Sequence, residues 1–163
     1  MRRIFVDIDG TLAYWNPDVS FDDVCSPGYF SNLEPMKNMI TFIEKLKDMG
    51  YPIYIISAVI DGERYINEKI GWLHKNLPWI PDDNIIFSTY GGSKTDAILM
   101  QTGYIEPDDI LFDDYTVNLN TWHGTSIKVM NGLNGSKGTW QGNKIRGYLS
   151  SRNIMEDFSR IVA

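Results

Sequence analysis

Short apolar runs alternate with helix-like stretches along most of the chain. Nearly continuous apolar runs rich in β-branched and aromatic residues occur at five places: residues 3–8, 51–59, 84–88, 109–114 and 126–131. Such runs are typical of strands buried on both faces of a parallel sheet. Between them, residues 35–49 space apolar side chains at the three-to-four period of a helical face. Residues 62–76 repeat this period less regularly, and residues 93–101 predict a short third helix. This order predicts an α/β fold with a mainly parallel, five-stranded sheet.

Three further stretches complete the picture. Residues 14–33 have no clear period, with two prolines and five aromatic side chains. A segment this long inside a compact domain is usually functional, so we expect a small lid, called here the cap segment. The Gly-rich residues 132–142 favour a turn, with a substrate contact left open, and residues 143–162 predict a last helix. We therefore expect one domain over residues 1–163 with the cap segment inserted after the first strand.

Composition narrows the class of protein. A chain of 163 residues can bury a core of its own. The net charge of −6 disfavours a nucleic-acid polymer as partner, because such binders present basic patches. No run approaches the roughly 18 apolar residues of a membrane span, and the single cysteine, Cys25, allows no internal disulfide. We expect a soluble cytoplasmic protein without membrane partners, and a homodimer is left open.

Acidic residues follow two of the predicted strands at the point where each strand ends. Asp7 and Asp9 close the first strand, and Asp113 and Asp114 close the fourth. Ligands of open α/β sheets bind at the carboxyl ends of the strands, so these acids are expected at one edge. They would repel one another without a cation, whereas Mg²⁺ takes oxygen ligands of this kind. The sequence therefore predicts a magnesium site there.

A hydroxyl and a lysine fall at the same predicted edge. Ser57 lies near the end of the second strand with Ala58 behind it, and Lys94 opens the third predicted helix. A lysine supplies positive charge for a phosphoryl group, while the hydroxyl and nearby backbone amides hold its oxygens. Taken singly, Asp7 with Asp9 also fits a turn, Asp113 with Asp114 a helix N-terminus, and Lys94 a solvated lysine. Their shared location favours a site for a phosphorylated ligand.

The motifs occur in the order of a known superfamily. "DIDGTLA" begins at Asp7, Ser57 follows "IYII", Lys94 lies in "GSKTD", and "LFDD" ends at Asp114. This order resembles the four motifs of the haloacid dehalogenase-like (HAD) phosphohydrolases, over roughly residues 3–131. Within that superfamily the chain is most similar to the small 5′(3′)-deoxyribonucleotidases of cytosolic type C, through "LEPM", "LFDDYTVN" and "IKVMNGLN".

The resemblance implies a fold, a reaction and a cofactor. The fold would be a Rossmann-type three-layer sandwich. Asp7 would attack phosphorus to form an aspartyl-phosphate, and Asp9 would protonate the leaving group and then activate water. Mg²⁺ would be held by Asp7, the Asp9 carbonyl and Asp114. Asp113 would lie behind these ligands and not bind the ion directly. The resemblance implies a nucleoside monophosphate as substrate, with a 5′(3′)-deoxyribonucleotide as the first candidate.

The cap segment is shorter than the helical cap that the resemblance implies. Its aromatic side chains, among them Trp15, Phe21 and Tyr29, either stack on a base or sugar or fill the gap over the sheet. Two alternatives stay open for this reason. One is a HAD phosphatase for another small phosphate ester such as a sugar phosphate. The other is a non-catalytic phospho-ligand-binding protein of the same fold, against which the presence of Asp7 and Lys94 counts.

Overall fold

The computed structural model describes residues 2–134 and 140–163, so residues 135–139 of the Gly-rich tract lie outside the described part. The strands are β1 (Ile4–Val6), β2 (Ile53–Val59), β3 (Ile85–Thr89), β4 (Ile110–Asp113), β5 (Thr125–Met130) and β6 (Asn143–Arg146). The helices are α1 (Phe21–Val24), α2 (Lys37–Asp48), α3 (Glu63–Asn76), α4 (Lys94–Thr102), α5 (Thr116–Asn120) and α6 (Ser151–Val162). The six strands form one parallel sheet in the order β3-β2-β1-β4-β5-β6.

Two hydrophobic clusters cover the two faces of the sheet. Ile4 and Val6 of β1 face the larger cluster, which side chains of α2, α3 and α6 complete. Phe5, between them, faces the smaller cluster with side chains of α4 and α5. This alternation is the two-residue period of a strand that is buried on both sides. The predicted three-layer α/β fold is confirmed, with β1 at the centre of the sheet.

The predicted number of strands is wrong, because β6 adds a sixth where a helix was expected. It pairs with β5 from Asn143 opposite Ile127 to Arg146 opposite Met130. Only Ile145 of this strand is buried, so a short edge strand leaves no alternating pattern in the sequence. The helix α6 begins later, after Ser150, whose side chain caps it by accepting a hydrogen bond from the amide of Asn153.

The cap segment leaves the core and returns beside its point of departure. The amide of Tyr14 donates to the carbonyl of Glu34 at 2.8 Å, and the amide of Met36 donates to the carbonyl of Leu12 at 2.7 Å. Both ends of the segment are therefore fastened to each other, directly after the acidic end of β1. The segment is thereby placed over the carboxyl edge of the sheet.

Candidate active site

Three carboxylates meet beyond the carboxyl ends of the two central strands. Asp7 follows β1, Asp113 ends β4, and Asp114 comes directly after it. One oxygen atom of each lies within 4.8 Å of the others. Asp7 and Asp113 are buried and Asp114 is half-buried. Adjacent parallel strands thus bring together acids that are more than a hundred residues apart.

The electrostatics of the cluster favour a bound cation. Burial raises the pKa of Asp7 from its ordinary value of 3.8 to about 7; Lys94 opposes this shift, and Asp113 adds to it. Burial also raises the pKa of Asp114 well above its usual value, with the charges of Asp7 and Asp113 acting in the same direction. Buried acids that resist ionisation are stabilised as anions when a divalent cation binds them. The three oxygen donors therefore fit Mg²⁺.

Lys94 provides a fixed positive charge beside these acids. It is the first residue of α4, after Ser93, whose hydroxyl accepts a hydrogen bond from the amide of Asp96. Its Nζ lies 2.7 Å from an oxygen of Asp7 and 2.7 Å from an oxygen of Asp113. Burial alone lowers the pKa of Lys94, but the two carboxylates outweigh it and raise that pKa above its ordinary value. Lys94 therefore remains a cation inside the site.

Asp113 and Asp114 differ in how many hydrogen bonds their carboxylates already accept. Asp113 accepts hydrogen bonds from the amide of Tyr115 at 2.8 Å and from Nδ2 of Asn118 at 3.0 Å, besides its contact with the lysine. Among the described residues, the Asp114 carboxylate accepts only from Nδ2 of Asn131, at 3.3 Å. Asp114 consequently keeps more of its lone pairs available to an ion.

Gly10 leaves room for Asp114 to approach the end of β1. Its φ is +81°, and a Cβ placed on it would lie 2.1 Å from Oδ2 of Asp114. Asn131, just after β5, donates from Nδ2 to the Gly10 carbonyl at 2.8 Å and thereby holds the two segments together. Sequence reasoning did not single out Asn131. The available signal was its place at the end of the fifth strand, at the edge where the acids lie.

Asp9 has different neighbours from Asp7. Its Oδ2 accepts from Nζ of Lys69, a residue of α3 that is only 2% exposed. The same Nζ donates to Ser57 Oγ at 2.9 Å and to the Ala58 carbonyl at 2.7 Å. Asp9 Oδ1 is buried and has no hydrogen-bond partner among residues 2–134 and 140–163. Sequence reasoning missed Lys69 altogether.

The residues singled out from the sequence thus separate into two groups. Asp7, Asp113 and Asp114 form the carboxylate cluster around Lys94. The side chain of Asp9 instead lies with Ser57, whose Oγ is 3.5 Å from Asp9 Oδ2. The Asp9 carboxylate is therefore not one of the three clustered carboxylates.

A cavity of about 530 Å³ opens between these residues and the cap segment. Charged side chains from the strand ends and from α3 and α4 line it together with aromatic ones: Asp7, Asp9, Lys69, Lys94, Asp114, Trp15, Phe21, Phe30, Tyr90 and Tyr115. Two of the three predicted lid residues, Trp15 and Phe21, therefore reach the cavity. Tyr29 lies instead along a neighbouring cleft, with its ring edge-on to Phe30 at 5.1 Å between centroids.

Residues 13–139 match the family model described as "5' nucleotidase, deoxy (Pyrimidine), cytosolic type C protein". The chain belongs to this nucleotidase family. The resemblance predicted from the motifs is confirmed, and the matched range contains Ser57, Lys94, Asp113 and Asp114. It begins just after Asp7 and Asp9, which follow β1, so the place of these two residues in the site is argued from the geometry of the sheet.

Proteins similar to this nucleotidase-family chain include two from strains of Staphylococcus epidermidis, each named "Putative 5'(3')-deoxyribonucleotidase". Each is 27% identical to this chain over 106 residues, which are 65% of this chain and 52% of the relative. The chain therefore spans about half the length of the curated relatives it matches.

Solved structures share the fold at low identity. The D,D-heptose 1.7-bisphosphate phosphatase from B. bronchiseptica, complexed with magnesium and phosphate, has a TM-score of 0.67 at 14% identity, covering 98% of this chain and 99% of that one. A hydrolase from Pseudomonas syringae has a TM-score of 0.62 at 10% identity, with full coverage of both chains. These likenesses show the fold that the nucleotidase-family chain adopts. Within residues 2–134 and 140–163, no helix has the length and apolar character needed to cross a membrane.

Proposed function

We propose that the protein is a Mg²⁺-dependent phosphomonoesterase that acts on a nucleoside monophosphate, with a 5′(3′)-deoxyribonucleotide as the first candidate. The observation that carries this proposal is the convergence of Asp7, Asp113 and Asp114 with Lys94 beside one cavity. Acids and a buried lysine in one pocket provide a nucleophile, a metal site and a counter-charge for phosphate. Membership of the nucleotidase family supports the nucleotide as substrate.

The carboxylates of Asp7 and Asp9 carry separate roles. Asp7 is the nucleophile: its oxygen bonds to phosphorus while the bond from phosphorus to the ester oxygen breaks. Asp9 donates a proton to that departing oxygen and then accepts one from the water that hydrolyses the aspartyl-phosphate. Lys69 holds Asp9 through Oδ2, which leaves Oδ1 to donate and accept these protons.

Phosphate and metal are bound by the neighbouring groups. Lys94 supplies positive charge to the phosphoryl oxygens, and Ser57 with the backbone at Ala58 holds them in place. Asp7, Asp114 and the Asp9 carbonyl would hold Mg²⁺, and the bound ion would neutralise charge on the phosphoryl group. Asp113, already occupied by three donors, orients Lys94 from behind.

The cap segment serves in this proposal as the small lid of a single HAD-like domain. Trp15 and Phe21 line the cavity from that side and contact the substrate. The family description, which names a cytosolic type, supports a cytoplasmic location. A homodimer stays a prediction.

The proposal is tested with Asp7→Asn, and Asp83→Asn serves as the control because Asp83 is exposed in the turn before β3. We expect Asp7→Asn to lower kcat by at least about 10³-fold while circular dichroism shows a folded protein. Asp83→Asn is expected to keep wild-type activity. Retained activity in Asp7→Asn would show that the covalent route is wrong.

The metal and the substrate are tested on the wild-type protein. We expect EDTA to abolish activity and Mg²⁺ to restore it; full activity in chelator would refute the metal's role. The values of kcat/KM across nucleoside monophosphates and sugar phosphates then decide the substrate. A sugar phosphate preferred over every nucleotide would contradict the nucleotide assignment.

A further inference from the structure

Two exposed aromatic rings meet at the mouth of the cavity from opposite sides. Phe21 belongs to α1 of the cap segment, whereas Tyr90 follows β3 in the core. Their ring centroids are 6.3 Å apart and the ring planes are tilted by 52°. Phe21 is 58% and Tyr90 71% exposed, although both line the cavity. Large apolar side chains left exposed together beside a pocket mark a ligand contact rather than core packing.

A tight turn holds Tyr90 at this position. The Tyr90 amide donates to the carbonyl of Val59 at 2.9 Å, and the Gly92 amide donates to the carbonyl of Thr89 at 2.8 Å. Gly91 has a φ of +75°, and a Cβ on Gly92 would lie 2.4 Å from the Thr89 hydroxyl. The turn thus depends on its two glycines. Hydrogen bonds of the backbone, not packing around the ring, set where Tyr90 projects.

Phe21 is presented with similar precision from the cap segment. It is the first residue of α1, directly after Ser20. The Ser20 hydroxyl accepts from the amide of Asp23 at 3.2 Å, while the Ser20 amide donates to the Asp23 carboxylate at 3.3 Å. This reciprocal capping fixes the first turn. Both rings therefore stand on backbone that is ordered before a ligand arrives, which reduces the entropy lost on binding.

The cavity has different chemistry at its two ends. Asp7 and Lys94 lie at the strand ends, where a phosphate would be held. The exposed rings of Phe21 and Tyr90 lie at the mouth and offer faces and edges to a flat, apolar group. A ligand that fits both ends carries a phosphate on one side and a planar ring system on the other.

We propose that Tyr90 and Phe21 form an aromatic clamp that binds the planar ring system of the substrate and sets the preference for nucleotides over bare sugar phosphates. This inference rests on the proposed function, because it names the part of the ester that the site recognises besides the phosphate. Tyr90 comes from the core, so specificity is shared between the core and the cap segment.

The test compares deoxyuridine 5′-monophosphate with 2-deoxyribose 5-phosphate, which carries a hydroxyl in place of the base. We expect Tyr90→Leu to lower kcat/KM for the nucleotide about tenfold, the effect of losing one stacked ring, and to leave the sugar phosphate unchanged. Tyr90→Phe is expected to keep the preference, since it keeps the ring. Tyr148→Leu, at a tyrosine that is 52% exposed in the turn before α6, is the matched control and should change neither substrate.

Two results would overturn the clamp. Equal losses for both substrates in Tyr90→Leu would show that the ring pair only holds the cap segment closed. No loss for either substrate would show that the base does not contact Tyr90.

A binding measurement separates this inference from the proposed function. In the Asp7→Asn background with Mg²⁺, calorimetry should give tighter binding of the nucleotide than of the sugar phosphate, and adding Tyr90→Leu should remove the difference. This binding measurement needs no turnover. If the wild-type protein had no phosphatase activity, the proposed function would be refuted, but the affinities would still test the clamp. Equal affinities for the two compounds before Tyr90 is changed would refute the clamp.

Discussion

Asp7 and Asp9 are two residues apart, and yet they have different partners. Asp7 contacts Lys94 and joins the carboxylate cluster, whereas Asp9 contacts Lys69 and Ser57. Two carboxylates act as nucleophile and proton carrier in one reaction only when their surroundings differ. Side chains two residues apart on a strand share a face, so strand alternation alone would not separate them. Asp7 still hydrogen-bonds to β4 through its amide, whereas the chain turns after it: the Ile8 carbonyl accepts from the amides of Thr11, Leu12 and Ala13.

We expect Lys69→Met to lower kcat by about 10²-fold or more, because Asp9 loses the group that orients it. Lys75→Met is the control: it changes an exposed lysine of the same helix. Steady-state kinetics on one nucleoside monophosphate measures both variants, with circular dichroism as the check on folding. Equal activities in the two variants would show that Lys69 only fills space beneath the cap segment.

The raised pKa of Asp7 makes the effect of Mg²⁺ on stability depend on pH. Between the ordinary value of 3.8 and about 7, the folded metal-free protein holds a proton on Asp7 that the unfolded chain has lost. The free energy of unfolding therefore falls as pH rises through this window. Mg²⁺ binds the ionised carboxylate and offsets that loss.

We accordingly expect Mg²⁺ to raise Tm more at about pH 8 than at about pH 5. Thermal unfolding with Mg²⁺ and with EDTA at each pH measures the difference. A larger metal-induced shift at the lower pH would contradict the placement of the ion at these acids.

Lys69 shows which part of the site was not predictable from residue types alone. A lysine on a helix is usually solvated, and the residue has no motif to mark it. It lies three and four residues before Trp72 and Leu73, and all three are the buried residues of α3. A lysine on the apolar face of a helix needs a buried acid as partner, and this was the signal that could have found it.

The helix α3 contacts both the cap segment and Asp9. Glu68 accepts hydrogen bonds from the amides of Gly28 at 2.8 Å and Phe30 at 3.1 Å. The indole nitrogen of Trp72 donates to the carbonyl of Leu33 at 2.7 Å. Since Lys69 lies between Glu68 and Trp72 and contacts Asp9, one helix positions both the rear of the cap segment and the Asp9 side chain.

We expect Glu68→Gln to loosen the cap segment, because glutamine replaces one accepting oxygen with a donor that faces a backbone donor. Hydrogen exchange at the amides of Gly28 and Phe30 should accelerate, and KM for the substrate should rise about threefold to tenfold with a smaller change in kcat. Glu63→Gln, at an exposed glutamate of the same helix, is the control. Unchanged exchange at the two amides would contradict this anchoring.

The elements of the core were largely predictable, and the exception has a physical cause. Buried strands such as Ile53–Val59 carry continuous apolar sequence, and α2 carries a clear helical period ending at Gly50, whose φ is +92°. The edge strand Asn143–Arg146 has solvent on most of its residues and one buried side chain, so nothing in its pattern distinguishes it from a helix start. Its pairing with β5 is a tertiary contact that local sequence does not encode.

At the scale of the whole molecule, one buried ion pair fastens the end of the sheet opposite the site. Asp109, just before β4, accepts from the Arg3 amide at 3.0 Å, the Arg3 guanidinium and the Glu106 amide at 2.8 Å. Burial alone would raise the pKa of Asp109, but these hydrogen bonds hold it below its ordinary value. The stabilisation is therefore present at neutral pH and lost as pH falls through that lowered pKa.

We expect Asp109→Asn to lower the free energy of unfolding by about 3–5 kcal/mol at pH 7, because it leaves the buried Arg3 charge uncompensated. Asp108→Asn is the control, since Asp108 is exposed and its ion pair with Arg2 is long, at 3.9 Å, and weak. Urea denaturation measures both variants, and kcat of the folded protein should stay at the wild-type value. A loss for Asp109→Asn no larger than for its neighbour would show that the pair contributes little.

The cap segment is closed at its base by hydrogen bonds, so it can be exchanged as a unit. The bond between Tyr14 and Glu34 joins its two ends, and the bond between Leu12 and Met36 ties them to the core. A loop that is already closed at its base can be lengthened at an entropic cost that grows only with the logarithm of its length. Grafting a longer segment between Tyr14 and Glu34 would therefore change which esters the pocket admits while the sheet folds as before.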